Sequence, residues 1–366
     1  MILTAGPSIT QKEIDYVNDA VKTGWNNNWN SYLTKLENAF KDKFAAKHAL
    51  LTSSCTGAMH MAIRAMGIGE GDEVIVPGLT WVATASVVNY VGGTPVFVDI
   101  DKKTWTMDPE SFRNAITDKT KLVMPVHLYG HPAKMDEIVA IAKEHNLKIL
   151  EDAAPAIGAT FNGKYCGTFG DVAAFSFQGA KMMVTGEGGI LITNDDDIFA
   201  NIKQYSEHGR SKDPNNTFWI ETIGYKYKMS NIQAALGLAQ FERINELIDR
   251  KRLIFSWYEK RLDEIEGLHL NKEADWAKSI YWMTSIFLEN DFGILRNELM
   301  NRLKEDGVDT RPVFPTISKY PMWESGCHNP NAIAISENSI NLPSGHNLEE
   351  DQIDYICNSI IKHLNI

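Results

Sequence analysis

The chain has 366 residues, 44% hydrophobic and 23% charged, with a formal net charge of −11. Such a make-up belongs to an ordinary globular protein with ample core, and the length suggests two or three domains. The acidic balance offers nothing to nucleic acid or an anionic membrane surface, so a phosphorylated ligand must be held by local donors.

At the N-terminus, Met1-Ile2-Leu3-Thr4-Ala5-Gly6-Pro7-Ser8 lacks the basic and apolar regions of a signal peptide. A helical stripe follows at Ile9, Glu13, Ile14, Val17, Ala20 and Val21, and the polar-aromatic cluster Trp25-Asn26-Asn27-Asn28-Trp29-Asn30 breaks it. A second amphipathic helix spans 32–44. From His48 the pattern alternates: strand 49–51, turn 52–57, helix 58–66, strand 73–77, helix 84–90, strand 95–99, strand 122–126 and helix 135–145. Strands 149–152, 173–177 and 189–193 follow. This alternation predicts a mainly parallel sheet covered on both faces. After about Asn231 the chain turns helical, with 233–247 continued by 250–262, then strand 281–288 and helices 295–307 and 351–364. The expected architecture is α/β, with a large domain over 1–240 and a smaller α+β domain over 241–366. No apolar run approaches a membrane span, and Cys55, Cys166, Cys327 and Cys357 lack any CxxC or zinc spacing. Free thiols in a reducing, cytoplasmic setting fit these features.

Sites in such sheets lie beyond the strands' carboxyl ends, and Ser54, Trp81, His127, Asp152 and Lys181 all follow predicted strands. Lys181 stands in Phe175-Ser176-Phe177-Gln178-Gly179-Ala180-Lys181, just ahead of Gly186-Glu187-Gly188-Gly189. Alone it reads as a surface lysine. With Asp152 at one strand end and Ser53-Ser54-Cys55-Thr56-Gly57 at another, it reads as part of a pyridoxal phosphate site. A Schiff-base lysine must be neutral part of the time, which requires a desolvated or cation-flanked pocket. A carboxylate paired with the pyridine nitrogen keeps the ring an electron sink, and amides and hydroxyls at a helix start suit a phosphate. Ser176 offers a further hydroxyl, and Trp81 a flat face for the ring. Each has a plainer reading by itself: a turn or capping aspartate, a helix cap, a core tryptophan. His127 either borders the site or is a satisfied structural histidine. The chain has no GxGxxG after its first strand and no GxxxxGK[ST], and its histidines have no metal spacing, so dinucleotide, P-loop and metal readings lack support.

With these residues in place, the chain resembles the DegT/DnrJ/EryC1/StrS family of sugar aminotransferases over essentially its whole length. The resembling stretches include Gly71-Asp72-Glu73-Val74-Ile75-Val76-Pro77, Pro125-Val126-His127-Leu128-Tyr129-Gly130, Glu151-Asp152-Ala153-Ala154, Gly167-Thr168-Phe169-Gly170-Asp171 and Thr310-Arg311-Pro312-Val313-Phe314. It looks closest to the GDP-perosamine synthase-like branch, whose members aminate the C4 ketone of a nucleotide-linked 4-keto-6-deoxy sugar. The resemblance implies the fold-type-I architecture with a seven-stranded sheet, a homodimer with shared sites, and pyridoxal 5'-phosphate cycling through pyridoxamine 5'-phosphate. L-glutamate is the implied amino donor. It makes Lys181 the Schiff-base lysine and Asp152 the pyridinium partner, and stacks Trp81 on the ring. Ser54, Cys55, Thr56 and Ser176 fall to the phosphate. Arg311 lies where the family places residues near the substrate, with His127, Gln178 and Glu187 as further substrate-side candidates. A lysine at 181 also argues against the family's 3-dehydratase branch, which carries histidine there. Departures are Pro155, where a hydrogen-bonding residue is usual near the cofactor's 3-hydroxyl, and Cys55 for a glycine. Lys226-Tyr227-Lys228-Met229 replaces an Asn-x-Arg-Met segment and leaves Lys226 as the phosphate partner from the second subunit. These departures keep a small phosphorylated ketone such as dihydroxyacetone phosphate, or another nucleotide keto sugar, as the alternative acceptor. A sugar-nucleotide-binding protein without turnover is the rival from another class.

Overall fold

The structure, a computed structural model, describes residues 1–213, 215–216, 218–289, 292–323 and 328–365, so Cys327 lies outside the described residues. Helix α1 (Gln11–Thr23) begins where Thr10 and Glu13 close a capping box, each satisfying the other's free amide. Helix α2 (Ser31–Phe44) points Leu33, Leu36 and Phe40 into the core. Strand β1 (His48–Thr52) then leads into α3 (Cys55–Ala65), which starts at Cys55 rather than Ala58. The reason is Ser54, whose Oγ accepts the Gly57 N–H at 3.0 Å and caps the helix early.

The alternation continues through β2 (Glu73–Pro77), α4 (Ala83–Tyr90), β3 (Thr94–Val98), α5 (Pro109–Asn114) and β4 (Thr120–Val123). Next come α6 (Met135–Glu144), β5 (Lys148–Asp152) and a short hairpin, β6 (Thr160–Phe161) and β7 (Lys164–Tyr165). Strands β8 (Val172–Ser176) and β9 (Gly189–Thr193) are buried along their whole length. The main sheet has seven strands in the order β1-β9-β8-β5-β4-β2-β3. Its β8-β5-β4-β2-β3 part is parallel, and β9 runs antiparallel to both β8 and β1.

Helix α7 (Asp196–Ser206) covers this sheet, and α8 (Asn231–Glu242) and α9 (Ile244–Leu262) follow. Periodicity predicts one long helix here; Arg243 breaks it with φ −101° and ψ 6°. Its guanidinium is held by the buried Glu13 carboxylate of α1 at 2.6 Å. The start of α9 (Ile244, Leu247, Ile248) packs into the core with Phe40 and Phe175. Its remainder (Ile254, Phe255, Tyr258, Leu262) packs into a separate C-terminal core with Leu299 and Ile356. That core rests on an antiparallel sheet of β10 (Leu268–Leu270), β12 (Ser285–Leu288), β14 (Ser339–Asn341) and β13 (Arg311–Pro312). Strand β11 (Ala277–Lys278) instead joins β6. Helices α10 (Arg296–Glu305), α11 (Pro330–Asn338) and α12 (Glu350–Leu364) complete the chain. Among the described residues, no helix is long and apolar enough to cross a membrane.

Candidate active site

Strand β5 ends on Asp152, which is only 4% exposed. Thr84 Oγ1 donates to its Oδ2 at 2.7 Å and the Ala154 N–H to its Oδ1 at 3.1 Å. Thr80 Oγ1 lies 3.1 Å from Thr84 Oγ1 and extends the chain of hydroxyls behind the carboxylate. Burial pushes the Asp152 carboxyl up, and these donors together with Lys181 pull it back. Lys181 follows β8 in a tight loop whose backbone closes through Lys181 N–H to Gln178 O and Gly179 N–H to Gly186 O, both 2.8 Å. Burial brings its amine down to about 8, against the pull of Asp152 and of the Cys55 thiol. Among the described residues the amine makes no hydrogen bond or ion pair; it rests on the Trp282 ring, 3.5 Å from the centroid. A lysine so placed spends an appreciable fraction of its time neutral near pH 7 to 8, which is what a nucleophilic amine needs.

Cys55 lies between the two in electrostatic terms, feeling both Asp152 and Lys181, and burial raises its thiol well above the ordinary range. It is inert as a thiol, and its contribution is backbone. Cys55 and Thr56 are the first two residues of α3, and among the described residues neither amide has an acceptor. Opposite them is Gly189, where a Cβ would sit 2.5 Å from Cys55 N and 2.8 Å from Phe175 O. The helix start therefore faces a wall with no side chain.

The DegT/DnrJ/EryC1/StrS aminotransferase family model matches residues 7–361. The chain belongs to this family. It is 42% identical to GDP-perosamine synthase of Escherichia coli O157:H7 over 355 residues, 97% of this chain and 96% of that protein. It is 40% identical to GDP-perosamine synthase of Caulobacter vibrioides over 359 residues, again 97% and 96% of the two chains. Among solved structures, Spr1654 from Streptococcus pneumoniae in its PMP-form superposes with a TM-score of 0.92 at 27% identity, covering 100% of this chain and 99% of the other. Its PLP-form gives 0.90 at 27% identity, covering 100% and 98%.

Around this family centre the remaining candidates divide. Ser176 closes β8 with its Oγ 3.4 Å from the Gln178 N–H. Trp81 is 55% exposed and leans on Phe314 at 5.4 Å. Lys226 is exposed, while its neighbours run against the phosphate-side strand: Tyr227 O accepts the Ser53 N–H at 2.5 Å and Lys228 bridges to Thr52. Gln178 and Glu187 are exposed, Gln178 turning its Oε1 back to the Ala180 N–H at 2.9 Å. Arg311 is exposed and ion-paired to Asp309 at 2.6 Å.

His127 requires a correction. It is fully buried, with Nε2 3.0 Å from Glu151 Oε2 and Nδ1 accepting the Ala133 N–H at 3.0 Å. Both ring nitrogens are spent inside the core, so His127 is a structural histidine with no atom left for a substrate. Glu151 in turn accepts the amides of Gly167, Phe169 and Gly170. The pair thereby pins the loop beside β5. Two contributors are absent from the sequence reading: Thr84, a helix residue with no motif of its own, and Trp282, which comes from a distant part of the chain. A cavity of about 790 Å³ lined by Trp105, Lys134, His269, Trp276 and Glu289, among others, contains neither Lys181 nor Asp152.

Proposed function

We propose that the chain transfers the amino group of L-glutamate to the ketone of a nucleotide-linked 4-keto-6-deoxy sugar, using pyridoxal phosphate held by Lys181 and Asp152. The observation carrying this reading is one half-buried amine and one buried carboxylate within electrostatic reach of each other, beside helix-start amides with no acceptor among the described residues. These groups fit the cofactor. Lys181 supplies the Schiff-base amine, Asp152 a charge for the ring nitrogen, Cys55 and Thr56 amides for the phosphate, and Gly189, by lacking a side chain, lets β9 pack against the α3 start without displacing those amides. When bound, the cofactor supplies an electron sink for the carbon that loses its proton. The chain's own work is proton management: Asp152 keeps the ring nitrogen charged, and Lys181 takes the proton from the donor's α-carbon and, in the second half, delivers one to the acceptor's former ketone carbon. Ser54 fixes the start of α3, Ser176 adds a hydroxyl at the phosphate end, and Trp81 covers the ring from the open side. Gln178, Glu187 and Arg311, all solvent-facing, are assigned to the sugar or donor side.

Lys226 is exposed and makes no hydrogen bond or ion pair among the described residues, and we assign it to the phosphate of a second copy, making the working unit a homodimer in the cytoplasm. A lysine there acts as a point charge. The nucleotide sugar rests on the relatives named GDP-perosamine synthase.

Gly189→Ala tests the phosphate wall. Its Cβ meets backbone atoms that cannot swing aside, so affinity for pyridoxal phosphate falls by about 10- to 100-fold. An absorbance titration of the cofactor-free variant measures this, and an unchanged affinity removes the phosphate from this turn. The acceptor is tested by converting the enzyme to its pyridoxamine form with L-glutamate, removing the glutamate, and adding single ketones. Return of the aldehyde-form absorbance with a GDP-linked 4-keto-6-deoxy sugar alone, with the amine product confirmed by mass, is the expected result. Recovery only with a small phosphorylated ketone would overturn the nucleotide sugar and leave the aminotransferase intact.

A further inference from the structure

Trp282 lies far from Lys181 in sequence, yet holds it at two points. The lysine amine sits 3.5 Å from the centroid of the indole, and the indole Nε1–H donates to Ala180 O at 2.6 Å, the carbonyl just ahead of Lys181. Trp282 is itself held firmly. The buried Lys251 of α9 donates to Trp282 O at 3.1 Å and also to Ser344 O. The preceding residue, Tyr281, stacks on Phe255 with centroids 3.6 Å apart and planes 8° from parallel. The Tyr129 ring lies 5.8 Å from the indole on the large-sheet side. A rigid aromatic face in a desolvated site favours an ammonium over a neutral amine.

We propose that Trp282 is the positioning residue for Lys181, receiving its amine on the indole face whenever the amine is not bonded to cofactor and fixing its backbone through Ala180. This rests on Lys181 being the Schiff-base lysine. A lysine that must leave the cofactor, move a proton and return needs a resting place within reach. Water would let the chain swing freely, and a carboxylate would hold the ammonium too strongly to release. The indole face does neither: it opposes part of the burial effect on the amine and forms no directed bond that must be broken. It also links the catalytic loop to α9 through Lys251, so the C-terminal core and the large sheet meet at this amine.

The test uses the full chain without cofactor. Competitive acetylation across pH 6–10, read by peptide mapping, gives the titration of Lys181 itself. Trp282→Leu keeps the site apolar and removes the face, so the inflection for Lys181 falls by about one pH unit. At neutral pH the labelling then becomes several-fold faster. Trp282→Phe keeps a ring and removes the N–H, so the inflection moves little, while amide exchange over 180–184 speeds up about 5- to 10-fold. Trp282→Met, a longer apolar replacement without a ring, is read in the same way and covers the case in which the Leu variant fails to fold. An unchanged Leu profile overturns the resting-place role, and unchanged exchange in the Phe variant overturns the anchoring role. Borohydride reduction of the loaded wild type separates the two readings. Pyridoxyl on Lys181 with an unchanged Leu profile overturns Trp282 alone; pyridoxyl on another lysine overturns Lys181, and Trp282 with it.

Discussion

Lys181→Ala abolishes multiple-turnover transamination, with a loss of about 10⁴-fold or more. Among the described residues the amine is the only base the site offers between Asp152 and the α3 start, because Cys55 is held protonated by burial and His127 is spent on Glu151 and Ala133. Lys181→Arg, which restores a cation without a usable nucleophile, is expected to be equally dead, separating loss of charge from loss of chemistry. Residual turnover within a hundredfold of wild type in the alanine variant would remove Lys181 from the mechanism. The same variant has a stability consequence. The amine falls from 10.5 in the unfolded chain to about 8 in the folded one, so the native state disfavours the ammonium. The resulting destabilisation is fully present below about pH 8 and fades as pH rises toward 10.5. The cofactor-free Lys181→Ala protein is therefore more stable than wild type at pH 7 and loses that advantage near pH 10.5. Thermal melts at the two pH values check the sign.

The fold class was legible because apolar strands alternating with amphipathic helices have few solutions, and a mainly parallel sheet covered on both faces follows from them; the count of seven strands came from the family resemblance. Strand direction was not legible: β9 reads like its parallel neighbours, since burial on both faces gives the same apolar run whichever way a strand points. The long helix expected over 233–262 splits at Arg243 because a guanidinium reaching Glu13 on α1 is a tertiary contact that periodicity does not encode. At the site, Asp152 and Lys181 were legible as a pair at neighbouring strand ends. Thr84 was not, because a threonine at the second position of a helix carries no signal until Asp152 is found against it. His127 had two readings, and Glu151 decides between them. Trp282 was hidden by its setting: residues 281–288 read as one strand, yet the ladder begins at Ser285 and Tyr281 has φ +46°. The turn there aims the indole at Lys181, and no local pattern announces it.

Asp152→Asn separates what the site needs for chemistry from what the fold would prefer. Asparagine keeps the shape, and Thr84 can reverse its hydroxyl to accept from the new amide while still bonding to Thr80. What is lost is the charge that keeps a ring nitrogen protonated, so turnover falls by about 10²- to 10⁴-fold while pyridoxal phosphate still binds. Stability moves the other way. Burial raises the Asp152 carboxyl above its ordinary 3.8 in the cofactor-free protein, so the folded state binds its proton more tightly than the unfolded chain does. That contribution is fully present below pH 3.8 and is lost as pH rises through the folded value, leaving a buried, unpaired carboxylate at neutral pH. Lys181 offsets part of this through space, but its amine lies on Trp282 and forms no ion pair with the carboxylate among the described residues. Cofactor-free Asp152→Asn is accordingly expected to melt a few degrees above wild type at pH 7 and to show no gain below pH 3.8. With cofactor bound the order reverses, because only the carboxylate pairs with the ring nitrogen and only wild type gains that pairing on loading. A variant destabilised in both forms would show Asp152 to be a structural cap of β5, held by Thr84 and Ala154 for the sake of the fold. One stabilised without cofactor and weakened with it identifies a charge kept against the preference of the fold for the cofactor it awaits.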